Sequence, residues 1–302
     1  MQQRIPTYSE DPQLAALPAL PTMYDLPSED PEEPGLPDDF HDLQPQLLSR
    51  TLRLSDYGSQ EIYTASDLNL YYDLIHPLWH KRPDWFLVVG VPRLYPEGDG
   101  DRDSYVVWQE KVSPLVIVEF LSPGTDADDL GRFAPKQPKP QPANSPPLKF
   151  TVYEQILKVP HYIVFNKRDR SLRYFQLIGG VYQEQAVAAS NPQIWIADLN
   201  IGLAVWRGTF EGLPKSWLRW CDGNGNLLLT DTEAALEAKA IAQQQQQQAE
   251  AERQQAELRQ GQAELKLRQT VLSLHEMGMA IAQIAQITGS SEGEIEAIVK
   301  KS

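Results

Sequence analysis

Residues 82–90, RPDWFLVVG, and residues 115–123, LVIVEFLSP, decide how this chain is read. Each holds a short run rich in Val, Leu and Ile, bounded by Pro or Gly, which is the pattern of a buried strand. Asp84 stands just before the first run, Trp85 to Val91, and Glu119 stands at the end of the second, Leu115 to Val118. If the two strands pair, both carboxylates come to one sheet. Carboxylates held close together repel unless a cation lies between them, and oxygen-only ligands favour Mg²⁺ or Mn²⁺.

The chain around this pair has 302 residues, of which 41% are hydrophobic, enough for one good core and appendages. Its formal net charge is −14. Phosphate contacts dominate affinity for nucleic acid, so a nucleic-acid enzyme with this balance has to segregate its charge along the chain. Cys221 is the sole cysteine, which excludes an internal disulfide framework. The sequence has no run of eighteen apolar residues, and MQQRIPTYSEDP lacks a signal-peptide core. A soluble cytoplasmic protein without a membrane partner is expected.

Composition divides the chain into four. Residues 1–40 are acidic and proline-rich and are expected to form a disordered arm. Residues 41–230 carry the main domain. Within it, Leu43, Leu47, Leu48 and Leu52 mark an amphipathic helix. Ile62 to Tyr72 reads as strand, with Asp67 and Asp73 as turn-capping residues beside it. Tyr105 to Gln109 is expected to open a strand leading through Ser113-Pro114 to Glu119. Asp99, Asp101 and Asp103 alternate in a loop that lacks the Gly and Glu of a calcium-binding loop. The stretch APKQPKPQPANSPPLKF is too rich in proline for regular structure. Lys149 to Lys158 then reads as a helix stopped by Pro160, with Lys149 and Tyr153 sharing a face. Tyr162 to Phe165 is a further buried strand, and Gly179-Gly180 turns a hairpin. Trp195, Trp206, Trp217 and Trp220 are read as packing residues of strands.

Beyond Thr230 proline disappears. Residues 231–270, rich in Ala, Gln, Glu and Arg, are expected to form a long helix or weak coiled coil, with Gly261 as a weak point. Residues 271–302 read as three short helices broken at Gly278 and Gly289, with Ile281, Ile284, Ala285, Ile295 and Ile298 as core. The arrangement resembles a helix-turn-helix. Its last helix carries Glu292, Glu294 and Glu296, which disfavours DNA reading. These helices are therefore a candidate surface for a homo-oligomer or a protein partner.

The ordered set Pro83-Asp84, Glu119-Phe120-Leu121-Ser122-Pro123, Lys149-x-x-x-Tyr153 and Pro160-His161-Tyr162-Ile163-Val164 resembles the PD-(D/E)xK nuclease superfamily. Within it, the chain is most similar to the Uma-type ("Uma-two") putative restriction endonucleases, over roughly Asp38 to Trp220. The resemblance implies an α/β fold: a restriction-endonuclease-like mixed sheet flanked by helices, with antiparallel hairpins and, here, a C-terminal helical extension. It implies Asp84, Glu119 and Lys149 as catalytic residues. Asp84, Glu119 and the Phe120 carbonyl would hold Mg²⁺ or Mn²⁺, and DNA would be the substrate. Position 121 is Leu, so the strand offers no lysine. Lys149 is chosen, with Lys136 and Lys139 as competitors across the proline-rich insertion. The upstream acid of the family is not placed, since Glu33 and Asp39 lack its usual surroundings, and Asn166 stands where Asp is frequent. Two functions follow: a Mg²⁺-dependent DNA endonuclease, or a catalytically inactive nuclease-fold scaffold acting through its C-terminal helices.

Overall fold

The computed structural model describes residues 22, 25, 39–96, 98–121, 126–136, 142 and 144–301. Almost all of the acidic arm, including Glu33, lies outside the described residues, as does Lys139. The chain divides into two compact units, residues 1–231 and 232–302.

The first unit opens with helix α1 (Asp39–Thr51), then β1 (Ile62–Ala65), β2 (Leu70–Tyr71), β3 (His80–Lys81), β4 (Trp85–Val89), β5 (Tyr105–Val106) and a short α2 (Val107–Glu110). Next come β6 (Val116–Phe120), α3 (Asp126–Leu130), α4 (Lys149–Thr151) with a π turn over Val152–Ile156, and β7 (His161–Asn166). The hairpin β8 (Ser171–Ile178) and β9 (Val181–Gln185) follows, then β10 (Gln193–Ile196), β11 (Ile201–Phe210) and β12 (Leu213–Cys221). The main sheet runs β1-β4-β6-β7-β8-β9. In it β6 lies between β4, antiparallel, and β7, parallel. The α/β class with a mixed sheet and antiparallel hairpins is thus as expected.

Strands β4 and β6 are buried at every position but Val89, because both sheet faces are covered. Alternation along them sorts the side chains. Trp85, Leu87, Val116, Val118 and Phe120 join α1 and the β10-β11-β12 sheet in one core. Phe86, Val88 and Ile117 join Phe150, Val152 and Tyr153 in the other. Parity then puts Glu119 with Ile117, and Asp84 with Phe86, on the α4 side. Trp217 and Trp220 are fully buried packing residues, while Trp195 remains substantially exposed.

The structure corrects three expectations. Ile62 to Tyr72 is two strands in different sheets, since β2 pairs with β3 and β5 rather than with β4. Tyr105 to Gln109 is not one strand: β5 ends at Val106, and the chain turns through α2 to a left-handed Lys111. The helix from Lys149 is α-helical for only three residues before widening into the π turn. Asp67 and Asp73 do act in turns, with Asp73 accepting from the Ile75 N–H and facing His76.

In the second unit, helix α5 (Asp231–Glu276) runs through residue 270 without a break, so the expected long helix and the first of the three expected short ones are continuous. The other two follow as α6 (Ile281–Thr288) and α7 (Glu292–Lys300). Gly278 and Gly289 adopt positive φ at the breaks. Val271, Ile284, Ala285 and Ile295 form the buried centre, with Ile281 and Ile298 against them. No described helix is long and apolar enough to cross a membrane.

Gly131, between α3 and α4, has φ of +50°, and a Cβ there would lie 2.7 Å from the Phe150 ring. Gly131→Ala should therefore cost about 2–4 kcal/mol, combining left-handed strain with overpacking, measured by urea unfolding. Since each unit has its own core, a chain ending at residue 231 should keep the melting temperature of the main domain. A large fall would show that the domain boundary lies elsewhere.

Candidate active site

Strand register builds the centre. Trp85 pairs with Val118 across β4 and β6, so one step further Asp84 stands opposite Glu119. The Asp84 N–H donates to Glu119 Oε2 at 3.3 Å. In return the Phe120 N–H donates to Asp84 Oδ2. Glu119 is 1% exposed.

Helix α4 adds the cation. Lys149 Nζ lies 3.1 Å from Glu119 Oε2. One turn on, the Tyr153 hydroxyl donates to Glu119 Oε1 at 2.7 Å. Both oxygens of Glu119 are thus oriented, and Tyr153 is both packed and hydrogen-bonded. The start of α4 is fixed by α3: the Lys149 N–H donates to Asp128 Oδ1 at 2.7 Å, satisfying one of the donors a helix start leaves open. Asp129 brings a carboxylate oxygen within 3.8 Å of Lys149 Nζ, and its carbonyl accepts from the Tyr162 hydroxyl. The π turn is anchored from behind. Glu154, a buried carboxylate, accepts from Arg132 at 2.7 and 2.8 Å and from the Tyr182 N–H.

The electrostatics follow from burial. Desolvation pushes the Glu119 carboxyl up to about 8, against the pull of Lys149 and with Asp84 adding to the rise. Desolvation likewise pushes Asp84 up to about 6, against Lys149 and the Phe120 N–H. Burial alone would lower Lys149, but the carboxylates of Glu119, Asp129, Asp84 and Asp128 outweigh it and hold the ammonium well above the usual lysine range.

The structure therefore brings Asp84, Glu119, Lys149 and the Phe120 backbone together. Lys136 is exposed. Asp39 is exposed in the first turn of α1. Three neighbours were not legible as site residues. Asp129 lies in an acidic run to which the sequence reading assigns no role. Lys81 precedes Pro83-Asp84 by two residues without any motif. His41 reaches the Phe120 carbonyl, at 3.4 Å, only through the packing of α1 on the sheet.

Among the described residues, no group of three or more His, Cys, Asp and Glu is arranged to hold a metal ion. The two adjacent carboxylates and the backbone carbonyl of Phe120 nevertheless form an all-oxygen set. Mg²⁺ commonly uses one or two protein carboxylates and completes its shell with water and phosphate, so the residues present fit that ion.

Residues 12–206, well over half of the chain, match the sequence model of the Uma2 family, described as putative restriction endonuclease. No curated protein matches.

The raised carboxyls make a stability prediction. A group whose pKa is higher folded than unfolded stabilises the fold below its unfolded value and loses that contribution as pH rises through the folded value. The Asp84–Glu119 pair should thus lower the melting temperature of metal-free protein between about pH 5 and pH 8. Glu119→Gln should flatten that slope and be more stable than wild type at pH 8 by about 1 kcal/mol or more, read by thermal melts in chelator.

Proposed function

We propose, since the chain belongs to the Uma2 family, that it is a metal-dependent endonuclease that hydrolyses phosphodiester bonds of DNA. The observation that carries this reading is the charge imbalance of the site. Asp84, Glu119, Asp128 and Asp129 gather around Lys149 and Lys81, four carboxyl groups against two cations, so full ionisation would leave two negative charges in excess and burial instead favours a proton on the Asp84–Glu119 pair. One divalent cation would balance those two charges.

Asp84, Glu119 and the Phe120 carbonyl would hold Mg²⁺ or Mn²⁺. When bound there, the ion supplies an acidified water and neutralises phosphate charge. The protein side chains do the rest. Tyr153 and Lys149 fix the two Glu119 oxygens, and the Phe120 N–H fixes Asp84, so the carboxylates need little reorganisation. Lys149 is held charged, so it keeps its proton and donates to a phosphoryl oxygen, offsetting charge as the pentacoordinate transition state forms. The buried aromatic wall of Tyr153 and Tyr162 behind Glu119 keeps bulk water away on that side.

A second reading has the nuclease fold retained as a scaffold, with the C-terminal helices recruiting a protein partner. The net charge of −14 favours it, as does the glutamate-bearing face of α7.

Asp84→Asn and Glu119→Gln should each lower Mg²⁺-dependent plasmid cleavage at least about 100-fold and weaken Mn²⁺ binding in calorimetry. Lys149→Met should lower turnover to a similar degree while retaining Mn²⁺ binding. Lys136→Met should cleave like wild type. If the wild-type chain neither binds Mn²⁺ nor cleaves any of several DNA and RNA substrates, the scaffold reading holds.

A further inference from the structure

We infer that Lys81 is a second phosphate-binding cation of this site, seating a backbone phosphate adjacent to the one that is cleaved; the inference rests on the nuclease reading. Lys81 ends β3, paired with Leu70 of β2, and so belongs to the small β3-β2-β5 sheet rather than to the strands that carry Asp84 and Glu119. Its side chain is only 13% exposed, and its nearest carboxylate oxygen, Asp128 Oδ1, stands 3.8 Å away. That separation is an ion pair without a hydrogen bond. The same oxygen already accepts from the Lys149 N–H at 2.7 Å. Among the described residues the half-buried Lys81 side chain makes no hydrogen bond, so its ammonium donors are open to an added acceptor.

A second, independent group points the same way. Tyr72, one residue past β2, is 1% exposed, and its hydroxyl has no hydrogen-bond partner among the described residues. Burial first, then the charges of Asp73 and Asp128, push the phenol up. Lys81 and Tyr72 thus each carry an unmet donor, and both sense the charge of Asp128 at the start of α4. A phosphate oxygen offers the ammonium the lone pairs that the ion pair leaves unused. Lys81 also senses the charges of Lys149, Glu119 and Asp129, which puts it within electrostatic range of the proposed catalytic centre.

The test uses the full chain and a short fluorescent DNA duplex, with anisotropy measured across a salt series in chelator. Lys81→Gln should weaken binding about five- to tenfold at low salt and reduce the slope of log affinity against log salt by about one phosphate contact. Lys81→Arg should restore both. Tyr72→Phe should weaken binding about two- to fivefold without changing the slope, because it removes a hydrogen bond and no charge. Asp128→Asn guards against a purely structural role: it removes the partner and keeps the lysine, so binding should hold or tighten. If Lys81→Gln and Asp128→Asn lower the melting temperature alike and neither changes the salt slope, Lys81 is only a structural cation and the inference is overturned. A wild-type chain that cleaves in Mg²⁺ while Lys81→Gln keeps the full salt slope overturns it as well, leaving the nuclease reading intact. A wild-type chain that neither binds the duplex nor cleaves sinks the nuclease reading itself, and this inference with it.

Discussion

Two carboxylates are forced together by strand register. Pairing of Trp85 with Val118 is set by the apolar residues that alternate along β4 and β6 between two cores. A slip of one residue would turn every one of those side chains to the wrong face. The register that buries Trp85, Phe86, Ile117 and Val118 is therefore the register that sets Asp84 against Glu119. Hydrophobic burial, worth about 1.5–3 kcal/mol for each large side chain, overrides the cost of the charge pair. The potential repulsion is stored in the fold and, without a cation, is masked by the proton that burial favours on the pair.

Everything else near the site limits that stored repulsion. Lys149 needs a fixed helix start, which the Asp128 carboxylate provides. Tyr153 needs to reach Glu119 from the next turn, and the π widening directly after α4 lets Glu154 turn away to Arg132 and the Tyr182 N–H. Such single π turns occur frequently at functional sites. Gly131 allows the chain to pass beneath Phe150, which packs against Tyr162 and Phe175 behind the same helix. The aromatic wall is dry and rigid, so the Glu119 carboxyl cannot lower its energy by swinging into solvent.

The parts legible in sequence were those governed by local periodicity. Trp85–Val91 and Leu115–Val118 are short apolar runs with sharp ends, and their pairing followed from the acids placed beside them. Lys149 and Tyr153 share a helical face whether the turn is α or slightly widened. What stayed hidden depends on contacts distant in sequence. β2 and β5 are two residues long, and their pairing with each other is fixed by tertiary packing instead of propensity. Asp129 looks like one more member of an acidic run until Tyr162 and Lys149 close over it. Lys81 has no periodicity at all. The breaks at Gly278 and Gly289 were legible from glycine alone, whereas the continuity of α5 through residue 270 was not, because helix propensity in residues 265–276 is uniformly high.

The net charge of −14 weighs less against a phosphate-binding site than the total suggests. At physiological ionic strength exposed charges are screened beyond about 8 Å, so the total says little about the field at one buried site. Some exposed acids are also met locally, as Glu257 is by Arg253 and Glu296 by Lys300. The charges that decide binding are the few that are buried together and poorly screened. Among them Lys149 and Lys81 are outnumbered by carboxyl groups, so binding of a polyanion without a cation rests on the two lysines alone. On the proposed reading, polyanion and dication would favour one another at this site: each removes charge that opposes the other, and binding of one should raise the affinity for its partner by the same factor. An acidic protein can in this way bind nucleic acid weakly without the ion and more tightly with it.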